Sequence, residues 1–96
     1  MPKGYLVANI RVTEAEKFQT FSGMAAPAIA KYGGKVLARG PSADRHEGEL
    51  SGTVMMIEFE SKKAAETFYF SEEYQAAKAV RETCSDTDLM IIEEAE

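Results

Sequence analysis

The chain has no tryptophan, one cysteine (Cys84) and one histidine (His46) in 96 residues. A single cysteine excludes an intrachain disulfide, so the fold rests on its apolar core. No CxxC pair, HExxH helix or EF-hand loop occurs, which removes the usual metal spacings. There is no GxGxxG turn and no Walker loop; Gly33–Gly34 follows a helical stripe and reads as a helix stop. No apolar run approaches the roughly 20 residues of a membrane-spanning helix. The opening residues lack the apolar stretch of a signal peptide. Basic residues are few: 11 Lys and Arg stand against 16 Asp and Glu, a net charge of −5. Nucleic-acid binding needs a basic stripe that releases counterions, and an anionic membrane surface repels this balance. The expectation is a soluble cytoplasmic protein with neither nucleic acid nor membrane as partner.

What is present is ordinary for a globular protein, with 45% apolar and 28% charged residues. Residues 1–96 fit one domain. Gly4–Val12 (GYLVANIRV) alternates with period two, which predicts a strand. Leu6, Ala8, Ile10 and Val12 form an apolar face; Tyr5, Val7, Asn9 and Arg11 form a mixed one. Thr13 and Glu16 have the spacing of a capping box. Phe18, Phe21, Ala25, Ile29 and Tyr32 then recur at helical spacing. Pro27 lies inside that helix and predicts a kink or break near Ser22–Gly23. Lys35–Arg39 reads as a second strand, with Val36 and Ala38 on one face and Leu37 and Arg39 on the other. Residues 40–51 read as a loop, and Thr53–Glu60 as a third strand. Ser61 caps a helix at Lys62–Tyr69, and Ser71 restarts helix to about residue 84. Ser85–Asp88 reads as a turn before a last strand, Leu89–Glu93.

This order, βαββαβ, predicts an α+β, ferredoxin-like fold: an antiparallel four-stranded sheet with its helices on one face. The other face would present Tyr5, Val7, Leu37, Val54 and Met56. An apolar area of that size calls for a partner, and a second copy packed sheet to sheet is the simplest one.

Several segments are familiar together. They are YLVANIRV at Tyr5–Val12, KYGG at Lys31–Gly34, Arg39–Gly40, Glu47–Gly48, EFES at Glu58–Ser61, and FYFSEEYQAA at Phe68–Ala77 followed by Arg81. Over nearly its whole length the chain resembles a bacterial family, domain of unknown function 1330, which is similar to the dimeric α/β-barrel superfamily. The resemblance implies a homodimer whose two sheets form a barrel. It places family motif positions at Tyr32, Gly33, Gly34, Arg39, Gly40, Glu47, Gly48, Glu58, Tyr74 and Arg81, and it brings no settled activity. Some members of the wider superfamily are cofactor-independent monooxygenases and others degrade haem. The haem-degrading branch looks as though it needs a first-strand Asn, a Trp and a helix His. Asn9 matches the first, but there is no Trp and His46 falls in a loop. No cofactor is expected.

The candidate site residues each carry two readings. Arg11 and Arg39, placed on the uncovered face by alternation, offer planar forks of donors for a small organic anion. The competing reading pairs either one with Glu58. Asn9 orients a ligand or satisfies its amide on a neighbouring strand. His46 has the titration range for general acid–base catalysis, or is a solvated loop residue beside Arg45 and Glu47. Tyr74 and Arg81, seven apart on one helix face, border a pocket or anchor the helix. Cys84, near a helix C-terminus, reads as packing. Two functions follow. One is a homodimer with a pocket for a small organic anion, acting as a cofactor-independent enzyme or binder, with His46 moving a proton. The other is a non-catalytic dimer whose polar sheet-face residues form interface ion pairs.

Overall fold

The alternating segment Gly4–Val12 forms β1, an interior strand of the sheet. The computed structural model describes residues 2–41 and 43–95. After β1 come α1 (Ala15–Lys31), β2 (Lys35–Gly40), β3 (Thr53–Phe59), α2 (Lys62–Tyr69), α3 (Glu72–Cys84) and β4 (Ser85–Glu93). The strands are ordered β2-β3-β1-β4, and every neighbouring pair is antiparallel. The fold is α+β and ferredoxin-like, with the second helix split into α2 and α3.

Strand alternation explains the core. Leu6, Ala8 and Ile10 of β1 are buried, as are Ile57 and Phe59 of β3. They meet Phe21, Ala25 and Ala28 of α1, Ala65 and Phe68 of α2, and Tyr74 and Ala77 of α3. Val12, expected to join them, is exposed at the end of the strand. Cys84 is fully buried and packs, as its position at a helix end suggested.

Both serine caps form. Ser61 Oγ accepts from the Ala64 amide at 3.0 Å and Ser71 Oγ from the Tyr74 amide at 3.1 Å. Each satisfies an amide that the first helical turn leaves without a partner. The end of α1 is a Schellman turn: Gly33 N donates to Ala30 O at 3.2 Å and Gly34 N to Ile29 O at 2.8 Å. Gly33 has φ 77°, the left-handed conformation that glycine adopts without a Cβ penalty.

Four local expectations are corrected. The capping box at Thr13 does not form; Glu14 is the N-cap and its side chain makes no capping bond. Instead the Thr13 and Glu14 amides donate to the Cys84 carbonyl at 2.8 and 3.2 Å, so the end of α3 anchors the start of α1. Helix α1 runs unbroken through Pro27. The carbonyl that loses its partner there belongs to Gly23, which is solvent-exposed and can be hydrated. Residues Ser85–Asp88 are strand, not turn. Ser-Asp-Thr-Asp has poor strand propensity, but Arg11 lies opposite Asp86 and its guanidinium holds both aspartates.

The fourth correction concerns β2. A register shift separates Val36, opposite Ile57, from Ala38, opposite Met56. Leu37 is the extra residue of a β-bulge. Beyond it the alternation is inverted: Arg39 lies opposite Met55, on the face that carries the helices, instead of on the uncovered face.

Candidate functional site

Between α1 and the sheet lies a cavity of about 370 Å³. Leu6, Ala8, Ile10, Met55, Ile57 and Leu89 supply its floor, and Phe18, Phe21, Ala25 and Ile29 its roof. The volume is at the lower end of the roughly 300–1,000 Å³ of small-ligand pockets. The polar residues along its lining are Ser22, Arg39, Thr53, Tyr74 and Arg81. Among the described residues no Asp, Glu, His or Cys lines it.

Arg81 is the most unusual of these. It is only 6% exposed, on the last turn of α3. Its Nη1 donates to the Tyr74 hydroxyl oxygen at 2.6 Å. Among the described residues it has no carboxylate within ion-pair distance. A buried guanidinium normally has a counter-charge, because desolvating it alone is costly. Tyr74 is buried too. Burial pushes its phenol above the usual range, against the opposing pull of Arg81's charge and hydrogen bond. Since arginine can only donate, the phenol oxygen is the acceptor and its own proton is free to point elsewhere. Arg81 and Tyr74 both line the cavity, and both carry hydrogen-bond donors.

The remaining sequence candidates lie apart from this cavity. Asn9 and Arg11 face the open side of the sheet and tie down the β2–β3 loop. Asn9 Nδ2 donates to the Ser51 carbonyl, and Asn9 Oδ1 accepts from Arg45 Nη2 at 3.0 Å. Arg45 also donates to the Gly52 carbonyl at 3.0 Å. Arg11 is paired with Asp88 at 2.7 Å and Asp86 at 3.4 Å, and its Nη1 reaches the Ser51 carbonyl at 3.3 Å. Glu58 pairs with neither arginine; Lys3 Nζ lies 3.9 Å from it. His46 sits in the loop with its side chain 82% exposed, 3.5 Å from Asp44, and does not line the cavity. Sequence reasoning missed the apolar roof as a wall of a site, and it missed Ser22 and Thr53. A small polar residue on an otherwise apolar helix or strand face was the available signal.

The helix–sheet layering, the split second helix and the Tyr74–Arg81 pair all lie within residues 3–95, which match the family described as Domain of unknown function (DUF1330). The chain belongs to the DUF1330 family. None of the curated proteins compared with it matches. Solved structures share its fold at low identity. One is the RPA0582 protein of unknown function from Rhodopseudomonas palustris: TM-score 0.80, 17% identity, covering 99% of this chain and 84% of that one. Another is a dimeric ferredoxin-like protein of unknown function from Jannaschia sp. CCS1: TM-score 0.72, 12% identity, covering 98% and 99%. A third is SnoaB, a cofactor-independent oxygenase from Streptomyces nogalater: TM-score 0.71, 10% identity, covering 100% and 96%. At these identities the likeness concerns the fold alone.

Proposed function

We propose that this DUF1330 protein is a homodimer in which each subunit binds a small, largely apolar organic anion between α1 and the sheet. The observation that carries the reading is the buried Arg81 guanidinium, without a carboxylate partner among the described residues, in an apolar cavity. In such surroundings a charge-assisted hydrogen bond is worth more than in water. A ligand carboxylate or enolate would supply the missing counter-charge, and the Tyr74 hydroxyl would donate to it as well. Homodimer formation is supported by the uncovered sheet face, where Tyr5, Val7, Val54, Met56, Met90 and Ile92 are partly or well exposed. It is supported also by the dimeric description of the Jannaschia protein. Sheet-to-sheet packing would bury that face.

The cavity is a binding site first. Its donors suit negative charge, and none of the described residues lining it carries a carboxylate, imidazole or thiol. A second reading, favoured by the likeness to SnoaB, is oxygenation of the bound anion without a cofactor. There the arginine and phenol would stabilise charge on a ligand oxygen, and the ligand itself would have to be acidic. The test is calorimetric titration with phenylacetate and with its uncharged amide. Binding of the acid alone, lost in Arg81→Met, supports the anion site; equal binding of acid and amide, or of acid to both proteins, defeats it. Oxygen uptake with bound acidic ligands separates the second reading from plain binding.

A further inference from the structure

Arg39 is a second guanidinium in the same cavity, and a specific irregularity of the backbone puts it there. Had β2 alternated regularly from Val36, Arg39 would project to the open face. The extra residue at Leu37 inverts the pattern, and Arg39 lies opposite Met55 on the cavity floor. Bulges are common beside functional sites, where they re-aim a side chain. Among the described residues no carboxylate lies within ion-pair distance of Arg39 either.

The two arginines arise at opposite edges of the sheet, Arg39 on β2 and Arg81 where α3 runs into β4. Strand register sets Arg39, Met55, Ala8 and Leu89 in one transverse row. Three strand spacings, roughly 14 Å, therefore separate the Arg39 backbone from that of Leu89. Arg81 belongs to the Leu89 side. Its carbonyl accepts from Ser85 Oγ of β4 at 2.7 Å, and α3 runs directly into that strand. Between the two ends the cavity wall is mostly apolar, with Met55, Ala8, Ile57 and Phe21 beside the small polar Ser22 and Thr53. Arg81 is buried and Arg39 is exposed, so one end is dry and the other lies at the mouth.

We infer that the ligand carries two acidic groups on an apolar body, an α,ω-dicarboxylate in class, with one carboxylate at Arg81 and the other at Arg39. This rests on the reading of the cavity as an anion site. Arg81 supplies affinity for either kind of acid. Arg39 selects the ligand with a second charge at the correct distance, which makes it a specificity determinant.

The test is calorimetric titration with the straight-chain diacids from adipate to dodecanedioate, each against the monocarboxylic acid of equal length. Wild type should favour the diacid by roughly tenfold at one optimal length, the gain of one added charge-assisted contact. Arg39→Met should bring that diacid down to the monoacid's affinity while weakening the monoacid far less than the diacid. Arg81→Met should weaken both. If diacid and monoacid bind wild type equally at every length, the two-charge inference fails while the anion site stands. If Arg39→Met weakens the monoacid as much as the diacid, both arginines hold one group and the inference fails again. If no acid of either kind binds, the anion site falls and the inference with it. Arg39 is exposed, so its replacement leaves the core intact and the comparison stays readable.

Discussion

Arg81 Nη1 and the Tyr74 hydroxyl meet at 2.6 Å, two turns apart on α3, and both line the same apolar cavity. This pair sets function against stability. Burying an arginine beside a phenol and apolar side chains is costly, and an apolar replacement of similar volume removes that cost. Arg81→Met should therefore leave the melting temperature unchanged or raise it, while abolishing binding of organic acids. Tyr74→Phe should do the reverse to stability. It leaves a buried guanidinium short of one acceptor, which costs about 1–3 kcal/mol. Thermal melts of the two variants beside wild type check both signs.

Asn9 is 8% exposed and sits in an interior strand, yet its partners are Ser51 and Arg45 of the β2–β3 loop. It holds the loop across the end of the sheet. In Asn9→Ala both bonds vanish, and the predicted loss is about 1–3 kcal/mol for the groups left without partners. Hydrogen exchange should show the backbone amides of residues 43–52 exchanging faster, with little change in those of α2. A variant that loosens the whole molecule evenly would contradict the role.

Most of the fold was legible because its signals are local. The alternation of β1, the serine caps at Ser61 and Ser71 and the glycine stop at Gly33 each act within a few residues, and each formed. The misses depended on partners distant in sequence. Asp86 and Asp88 become strand because Arg11, more than 70 residues away, holds them both. The start of α1 is anchored by the carbonyl of Cys84, again far along the chain. The bulge at Leu37 leaves no mark in the sequence KVLAR, and one inserted residue reverses the facing of everything after it. For that reason Arg39 was assigned to the wrong face. Tyr74 and Arg81 were legible as a pair, since seven residues is two helical turns. The cavity they line was not, because it depends on how far α1 stands from the sheet.

The open face predicts a dimer. Ala38, Met56, Val7 and Met90 form one transverse row across it. Light scattering at micromolar concentration should give twice the 10.5 kDa chain mass. Val7→Glu places a charge in the centre of that row, where burial without a counter-charge is strongly disfavoured, and should yield a monomer with an unchanged circular dichroism spectrum. A wild-type monomer under these conditions would rule the sheet-to-sheet dimer out.

Glu73 joins α3 to α1. It accepts from Lys31 Nζ and, at 3.0 Å, from the Tyr32 hydroxyl, both at the end of α1. The Lys31 hydrogen bond above all, then a backbone amide and Tyr32, holds its carboxyl down at about 2, from an ordinary value of 4.5. A carboxylate with a depressed folded value stabilises fully above its unfolded value and loses that contribution as it is protonated. Wild type should therefore exceed Glu73→Gln in urea midpoint at neutral pH. The gap should narrow below about pH 4.5 and close near pH 2. High salt should narrow it as well, since the site is solvent-facing. A gap that persists undiminished at pH 2 would mean that the ion pair is not its source.

The bulge makes an unexpected prediction about Leu37. Deleting a residue from a strand normally turns every later side chain to the other face. Here the deletion should do the opposite. Val36 already faces Ile57 and Ala38 already faces Met56, with Leu37 as the surplus between them. Removing Leu37 joins Val36 directly to Ala38 in regular alternation, and Arg39 stays opposite Met55 in the cavity. The deletion variant should fold, keep its dimeric mass and retain the diacid preference that Arg39 confers, with amide chemical shifts changed mainly in β2 and the facing part of β3. Deleting Ala38 instead would leave Leu37 in the Met56 register, again with Arg39 in the cavity, so both single deletions should retain the preference. Inserting one alanine after Ala38 should send Arg39 to the open face and abolish it. If either deletion removes the preference as completely as Arg39→Met, the strand has slipped, and the facing of Arg39 depends on more than the residue count between Val36 and Arg39.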